Sequence, residues 1–243
     1  MNHFMRRICA LLAPCIVLAL QACASVPNAD ARDPWESMNR RIYSFNDVLD
    51  NVAIKPAAEA YVNVVPSPVR KGIHNFLGNL GDVWSMVNSA LQLKGQATVE
   101  TLMRIQVNTF LGLGGVLDVA TEMRLDKRKE DFGQTLGYWG VKPGPYVVLP
   151  VFGPSTLRDT LAIPVNIKGD LVQQFNDPSS RNALSATRVM DARSGLLQTL
   201  DVIKAAALDP YTFVRDGYLQ KRESDVYDGN PPAIFDYTES ETP

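Results

Sequence analysis

Cysteine is nearly absent. The 243 residues hold three, and two of them, Cys9 and Cys15, fall inside an N-terminal apolar run. Cys23 is then the only thiol left, so no disulfide within the chain can staple the fold, and packing must hold it together. Histidine is as scarce, with only His3 and His74. Zinc sites draw their ligands mostly from Cys and His, so a zinc site is nearly excluded, while a carboxylate-only metal site stays formally possible. HExxH and GxSxG are both missing, which removes the helical zinc-protease motif and the nucleophile elbow of lipases. His74 is the one imidazole beyond the N-terminal run, and a lone His near apolar helix positions is more often structural than catalytic. The expectation is therefore no enzyme, no catalytic residue, no metal and no cofactor. A basic stripe is missing too. With 24 basic and 26 acidic residues the formal net charge is −2, and nothing marks a nucleic-acid partner. Beyond the N-terminal run no apolar stretch reaches the ~20 residues needed to span a bilayer. Two shorter uncharged stretches, Ile105 to Leu117 and Pro143 to Leu157, have lengths that fit either a buried core segment or an interfacial one.

What is present begins at the N-terminus. Arg6 and Arg7 form a basic n-region, Ile8 to Leu20 is uncharged and largely apolar, and Leu20-Gln21-Ala22-Cys23 follows. This is the layout of a secretory signal peptide over residues 1–22. A Cys directly after a small residue resembles a bacterial lipobox, which implies lipidation at Cys23. Ala24 follows; an Asp there would resemble an inner-membrane retention signal, and its absence favours the outer membrane. Residues 23–32 read as a lipidated tether, 33–227 as one helical domain, and 228–243 as a disordered acidic tail.

Within the domain, Asp33, Pro34 and Glu36 predict an N-cap, an N1 proline and a capping-box partner. Met38, Ile42, Phe45, Leu49 and Val52 recur at helical spacing as one apolar stripe, which can pack on the body while Asn39, Asn46 and Asp47 face a polar lining. Ser67-Pro68, Asp177-Pro178 and Asp209-Pro210 predict further helix starts, and Ser155 predicts another that Pro164 interrupts. Helices are expected from Val69 to Leu80, from Gln96 to Phe110, and as one long segment from about Ser180 to Leu208, with a further apolar segment from Val83 to Leu93. Gly112, Gly114 and Gly115 lack GxGxxG spacing and read as tight packing or a hinge. From Phe132 to Pro154, Gly and Pro alternate with Tyr138, Trp139, Tyr146 and Phe152. Aromatics with a polar tip suit a half-wet border or the cap of a core; Tyr146 to Leu149 reads as one short strand. The sum is an all-α chain with little strand.

Several stretches together resemble the MlaA/VacJ outer-membrane lipoproteins. They are Asp33-Pro34-Trp35-Glu36-Ser37-Met38-Asn39-Arg40, Phe45-Asn46 with Leu49-Asp50, Pro66 to Arg70, and Asn75-Phe76 with Asn79-Leu80. Further on come Asn108-Thr109 with Gly112, Gly114, Gly115 and Asp118, then Asp131-Phe132-Gly133-Gln134-Thr135-Leu136-Gly137. The run continues through Gly144-Pro145-Tyr146, Leu149-Pro150 and Gly153 to Leu157-Arg158-Asp159, and Asp209-Pro210-Tyr211 with Arg215 closes it. The resemblance implies a single-domain ring of short amphipathic helices with a central channel, seated in the inner, periplasmic leaflet of the outer membrane. It implies removal of misplaced phospholipids from the outer leaflet, association with trimeric porins, and delivery to a soluble periplasmic lipid carrier. A scaffolding lipoprotein without a channel is the alternative, and a phospholipid-cleaving enzyme a third reading that the missing motifs oppose. Asn39, Phe45, Asn46 and Asp47 are the candidates for lining the channel or meeting the membrane. Asp33, Pro34, Arg40, Gly112, Gly114, Gly115, Phe132, Gly133, Gly137, Arg158 and Asp159 are expected to be structural.

Overall fold

Helix starts in this chain are written in Asp and Thr. Asp118, Asp131, Thr156, Asp177 and Asp209 each accept a hydrogen bond from a backbone N–H two or three residues on, at the heads of five helices. Such caps satisfy donors that the first turn leaves unpaired. The computed structural model describes residues 30–232, apart from the side chains of Lys204 and Ala205. The expected signal peptide, Cys23, most of the tether and residues 233–243 of the expected tail lie outside the described residues.

The helices are α1 (Glu36–Leu49), α2 (Lys55–Val64), α3 (Ser67–Leu91), α4 (Gly95–Phe110), α5 (Val119–Glu122), α6 (Phe132–Tyr138), α7 (Leu157–Gly169), α8 (Pro178–Ser194), α9 (Leu197–Ala206) and α10 (Pro210–Val226). Strands β1 (Tyr146–Leu149) and β2 (Gly153–Thr156) pair antiparallel, with Tyr146 opposite Thr156. The fold is all-α with this one small hairpin among the described residues.

Several boundaries differ from the sequence expectation. Asp33 does not cap α1; the helix starts at Glu36 after Trp35, because both Asp33 oxygens are drawn into tertiary bonds. Between α1 and α2 the chain makes a π turn, Asp50–Ile54, in which Lys55 N–H reaches back to Asp50 O, and Pro56 stands in the first positions of α2. A widened turn lets the chain pass a proline without ending the helix. The two segments expected between Val69 and Leu93 are one helix, and α7 runs on through Pro164. Conversely, the long helix expected to Leu208 breaks at Gly195-Leu196 into α8 and α9.

Followed through packed neighbours, the chain closes on itself. α1 continues through the π turn into α2, α2 packs on α8, α8 on α3, and α3 on α4 and α6. α6 packs on α7 and α10, α10 on β2, and β1 returns to α1.

Candidate functional site

Polarity is inverted. Among the described residues, twice as many polar or charged side chains as apolar ones are buried, while large apolar side chains are exposed on almost every helix. Helix α4 shows how. Its buried stripe is Ala97, Thr101, Arg104 and Asn108, at helical spacing, and Val99, Leu102, Met103 and Phe110 stand exposed. On α3, Asn79, Asp82, Ser85, Asn88 and Ser89 are buried. The apolar stretch Ile105 to Leu117 resolves the same way: Phe110 is 81% and Leu113 72% exposed. Contiguous apolar surface of this kind marks a contact with something apolar. No helix among the described residues is long and apolar enough to cross a membrane.

The buried charge is organised around Arg104. Its Nη2 donates to Asp118 Oδ1 at 3.0 Å, its Nη1 to Thr121 Oγ1 at 3.2 Å and to the Leu125 carbonyl, and Asp82 Oδ2 lies 3.9 Å from Nε. Asn108 donates to Asp118 Oδ1 at 3.0 Å and accepts from Ala120 N–H at 2.9 Å. Burial alone would raise Asp118, but the Thr121 and Asn108 hydrogen bonds and the Arg104 charge outweigh it and hold the carboxyl at about 2. Asp82 goes the other way: desolvation pushes it above the usual carboxylate range despite Lys127 and Arg104.

A second cluster joins α1 to the hairpin and α10. Asn39 is fully buried. Its Nδ2 donates to Asp33 Oδ1 at 2.8 Å and to Tyr146 O at 3.1 Å, and its Oδ1 accepts from Val148 N–H at 2.9 Å. Asn46, two turns on, donates to Leu149 O at 2.9 Å and accepts from Val151 N–H at 2.8 Å. Arg40 grips Asp209 with both terminal nitrogens, at 3.1 and 2.6 Å, and stacks over Tyr211. Hydrogen bonding to Arg40 holds Asp209 well below the usual carboxylate range. Tyr211 OH donates to Asp33 Oδ2, while Pro34 lies exposed in the turn before α1. Most of the apolar stripe is turned outward: Met38, Phe45 and Val52 are exposed, while Ile42 of the same stripe joins Asn39, Tyr43 and Asn46 on the face that meets the body. Asp47 accepts from Asn51 at 3.0 Å.

A third junction ties α6, α7 and α10. Arg222 donates to Asp131 at 2.7 and 3.1 Å and to Asp159 at 2.9 Å from both Nε and Nη2. Burial would raise Asp159, but Arg222 overrides it and holds the carboxyl low. Gly133 has no room for more: a Cβ there would sit 2.4 Å from Asp159 Oδ1. Gly137 lies against Arg158 and Val226, and Phe132 N–H donates to Asn166 Oδ1 at 2.9 Å. In the loop after α4, a Cβ on Gly112 would lie 2.2 Å from Leu117 O, Gly114 has φ +73°, and Gly115 has φ +96° against Asn79. The glycines are thus close-approach and positive-φ positions rather than a phosphate loop.

Sequence reasoning missed Arg104 and Arg222, the hubs of two clusters. Arg104 carried a signal: a single charge between Thr101 and Asn108 on one stripe of an otherwise uncharged helix segment. Arg222 sits in a helix rich in charge and had none. His74 Nδ1 pairs with Asp191 Oδ2 at 2.8 Å, linking α3 to α8 on the exposed surface. Among the described residues no group of three or more His, Cys, Asp and Glu could hold a metal ion.

A family model described as MlaA lipoprotein matches residues 31–225. The intermembrane phospholipid transport system lipoprotein MlaA of Escherichia coli (strain K12) is 34% identical over 228 residues, covering 89% of this chain and 87% of the relative. The protein of that name from Haemophilus influenzae is 30% identical over 222 residues, covering 87% and 88%. An uncharacterized protein of Rickettsia bellii is 34% identical over 195 residues, covering 80% and 76%. A solved structure, described as the structural basis for maintenance of bacterial outer membrane lipid asymmetry, superposes with a TM-score of 0.71 at 33% identity and covers 80% of this chain and 98% of the other.

Proposed function

Because the chain belongs to the MlaA lipoprotein family, we propose that it is an outer-membrane lipoprotein that removes misplaced phospholipids from the outer leaflet and passes them to a soluble periplasmic carrier. The closed circuit of helices surrounds a channel through which the lipid moves. The inverted polarity carries this reading. A phospholipid head group loses its hydration on entering hydrocarbon, at a cost far above what its chains regain. A protein that sits in the leaflet with apolar faces outward, and offers polar groups within, lowers that barrier while its exterior stays in lipid.

Acyl chains on Cys23 contribute ~0.8 kcal/mol per buried CH₂ and anchor the protein at the periplasmic leaflet. The exposed stripe of α1, with Phe45 and Asp47, follows that tether directly and lies at the membrane boundary where lipid gains access. Asn39 and Asn46 fix α1 to the hairpin, so the angle of this helix sets the opening. Trimeric porins position the ring across the bilayer. The chain itself carries out no reaction.

The test is a strain lacking the chain, in which outer-leaflet phospholipid is measured by its accessibility to an added phospholipase. The full-length protein should restore the low level, and a Cys23→Ala form should not. Restoration by a variant whose polar interior is blocked by bulky substitutions, at normal abundance, would instead leave a scaffold without a channel.

A further inference from the structure

The loop between α6 and β1, the first turn of α7 and the C-terminal half of α10 enclose a cavity of about 720 Å³, within the range of small-ligand sites. Arg158 lines it and is only 6% exposed. Its Nε donates to Asp159 Oδ1 at 3.0 Å and its Nη1 lies 3.5 Å from the Val141 carbonyl. Its Nη2 has no acceptor among the described residues, yet is not sealed from solvent. Lys142 lines the cavity as well and makes no ion pair among the described residues. Arg222 is on the same wall, already matched by Asp131 and Asp159. Of the two lining carboxylates, Asp216 is taken by Arg32 and Arg215, which leaves Glu223. Val141, Leu219 and Val226 supply an apolar wall. The loop's Lys142 and Gly144 amides donate to no acceptor among the described residues.

We propose that this cavity binds the phosphate group of a single amphiphile. The free edge of the Arg158 guanidinium and the Lys142 ammonium take the phosphate oxygens, and the Val141, Leu219 and Val226 wall takes the first carbons of the attached chain. A guanidinium edge suits the spread oxygens of a phosphate, and the burial of Arg158 strengthens its contact, while Lys142 reaches in from the exposed rim. Free phosphate offers the same head chemistry without a chain, so the apolar wall is what selects a phospholipid. The ligand class rests on the lipid-transport reading above; the placement of the site does not.

The experiment uses the full-length lipoprotein in an uncharged detergent. Modification of Lys142 by an amine-reactive reagent is followed by mass spectrometry while dihexanoyl phosphatidylglycerol, inorganic phosphate or hexyl glucoside is added. The phospholipid should protect Lys142 at a concentration about tenfold below that of phosphate, a difference of ~1.4 kcal/mol, and the glucoside should not protect. By equilibrium dialysis of labelled lipid, Lys142→Gln should weaken binding several-fold, Arg158→Gln should weaken it more, and Arg158→Lys should fall between, with melting temperature followed in each. The protection measurement needs no substitution, so a variant that fails to fold leaves it decisive. Absence of protection by the phospholipid would overturn the site. Equal protection by phosphate would overturn its lipid selectivity, and protection by the glucoside would overturn its phosphate specificity. A chain that restores lipid asymmetry in cells yet shows no Lys142 protection would sink this inference and leave the transport reading standing.

Discussion

Asn46 holds Val151 in a backbone conformation that valine avoids. Val151 has φ +70° at the turn between β1 and β2, where a β-branched side chain is a true outlier, and its N–H donates 2.8 Å to Asn46 Oδ1. The other end of the same amide donates to Leu149 O, so one side chain on α1 braces both sides of the turn. Val151 and Phe152 are exposed at its tip, which points two apolar side chains outward from a strained loop.

Asn46→Ala should therefore cost about 1–2 kcal/mol of unfolding free energy, from two lost hydrogen bonds at a half-buried site. Val151→Gly should return roughly 1 kcal/mol by removing the strain. If Asn46 is what holds the strain, its removal already lets the turn relax, so Val151→Gly returns less in that background and the double variant will lose more than the sum of the two single changes. Denaturant titrations of the four proteins in one detergent measure the coupling; strict additivity would mean that the turn holds its shape without Asn46.

Acid should act on Asp118 and Asp82 in opposite senses. Asp118 is held at about 2 against an ordinary value of 3.8, so its contribution is complete above pH 3.8 and is lost as pH falls toward 2. Asp82 is raised by burial, so its penalty is present at neutral pH and vanishes once the carboxyl is protonated. Asp118→Asn should destabilise most at neutral pH and lose its effect below about pH 2. Asp82→Asn, measured from pH 8 to pH 4, should look most favourable relative to the parent at pH 8 and converge on it at the acid end. A gap that widens on acidification would contradict the assignment.

The glycines grade by what surrounds them. Gly112→Ala meets backbone oxygens at 2.2 and 2.4 Å, which cannot move aside, and should cost about 3 kcal/mol or more, at the upper end for overpacking. Gly133→Ala meets the Asp159 and Arg222 side chains and should cost about 2 kcal/mol as the fork gives way. Gly114→Ala has open space but φ +73°, so only the left-handed penalty of roughly 1–2 kcal/mol applies. Gly81→Ala, mid-helix in α3 with nothing near it, should stabilise by about 0.5–1 kcal/mol. Thermal melts of the four variants would show this order or break it.

Two caps and the β1 strand were legible in sequence because they depend on local chemistry: Asp177-Pro178 and Asp209-Pro210 start α8 and α10, whereas Asp33 and Ser67 cap no helix and Thr156, not Ser155, caps α7. Periodicity also placed α1, and the helix expected from Gln96 to Phe110 is α4. It could not say which side of a helix faces in, because an apolar stripe has the same three-and-four spacing whether it meets a core or a lipid. The stripe from Met38 to Val52 therefore read as packing, yet Met38, Phe45 and Val52 stand outward and only Ile42 packs on the core. Strand β2 was missed because Gly153 and Pro154 disfavour a strand and Thr156 alone favours one; it pairs with β1 all the same. The Arg222 fork spans 91 residues to Asp131, and no local pattern announces a partner that far away.

Phe110, Leu111 and Leu113 cap the exposed apolar end of α4 and lie outside the packed body. If that end meets lipid, polar substitutions there should leave the fold intact and weaken membrane attachment. Burying a side chain of this size is worth about 1.5–3 kcal/mol, so Phe110→Ser with Leu113→Ser should lower membrane partitioning by at least about a hundredfold once lipidation is removed. The comparison is best made in a Cys23→Ala background, which removes the proposed acylation site. The Cys23→Ala parent should still sediment with vesicles through its apolar faces, and the triple variant should stay in the supernatant with an unchanged melting temperature. A fall in melting temperature with unchanged partitioning would place these side chains in the packing of the protein rather than against the membrane.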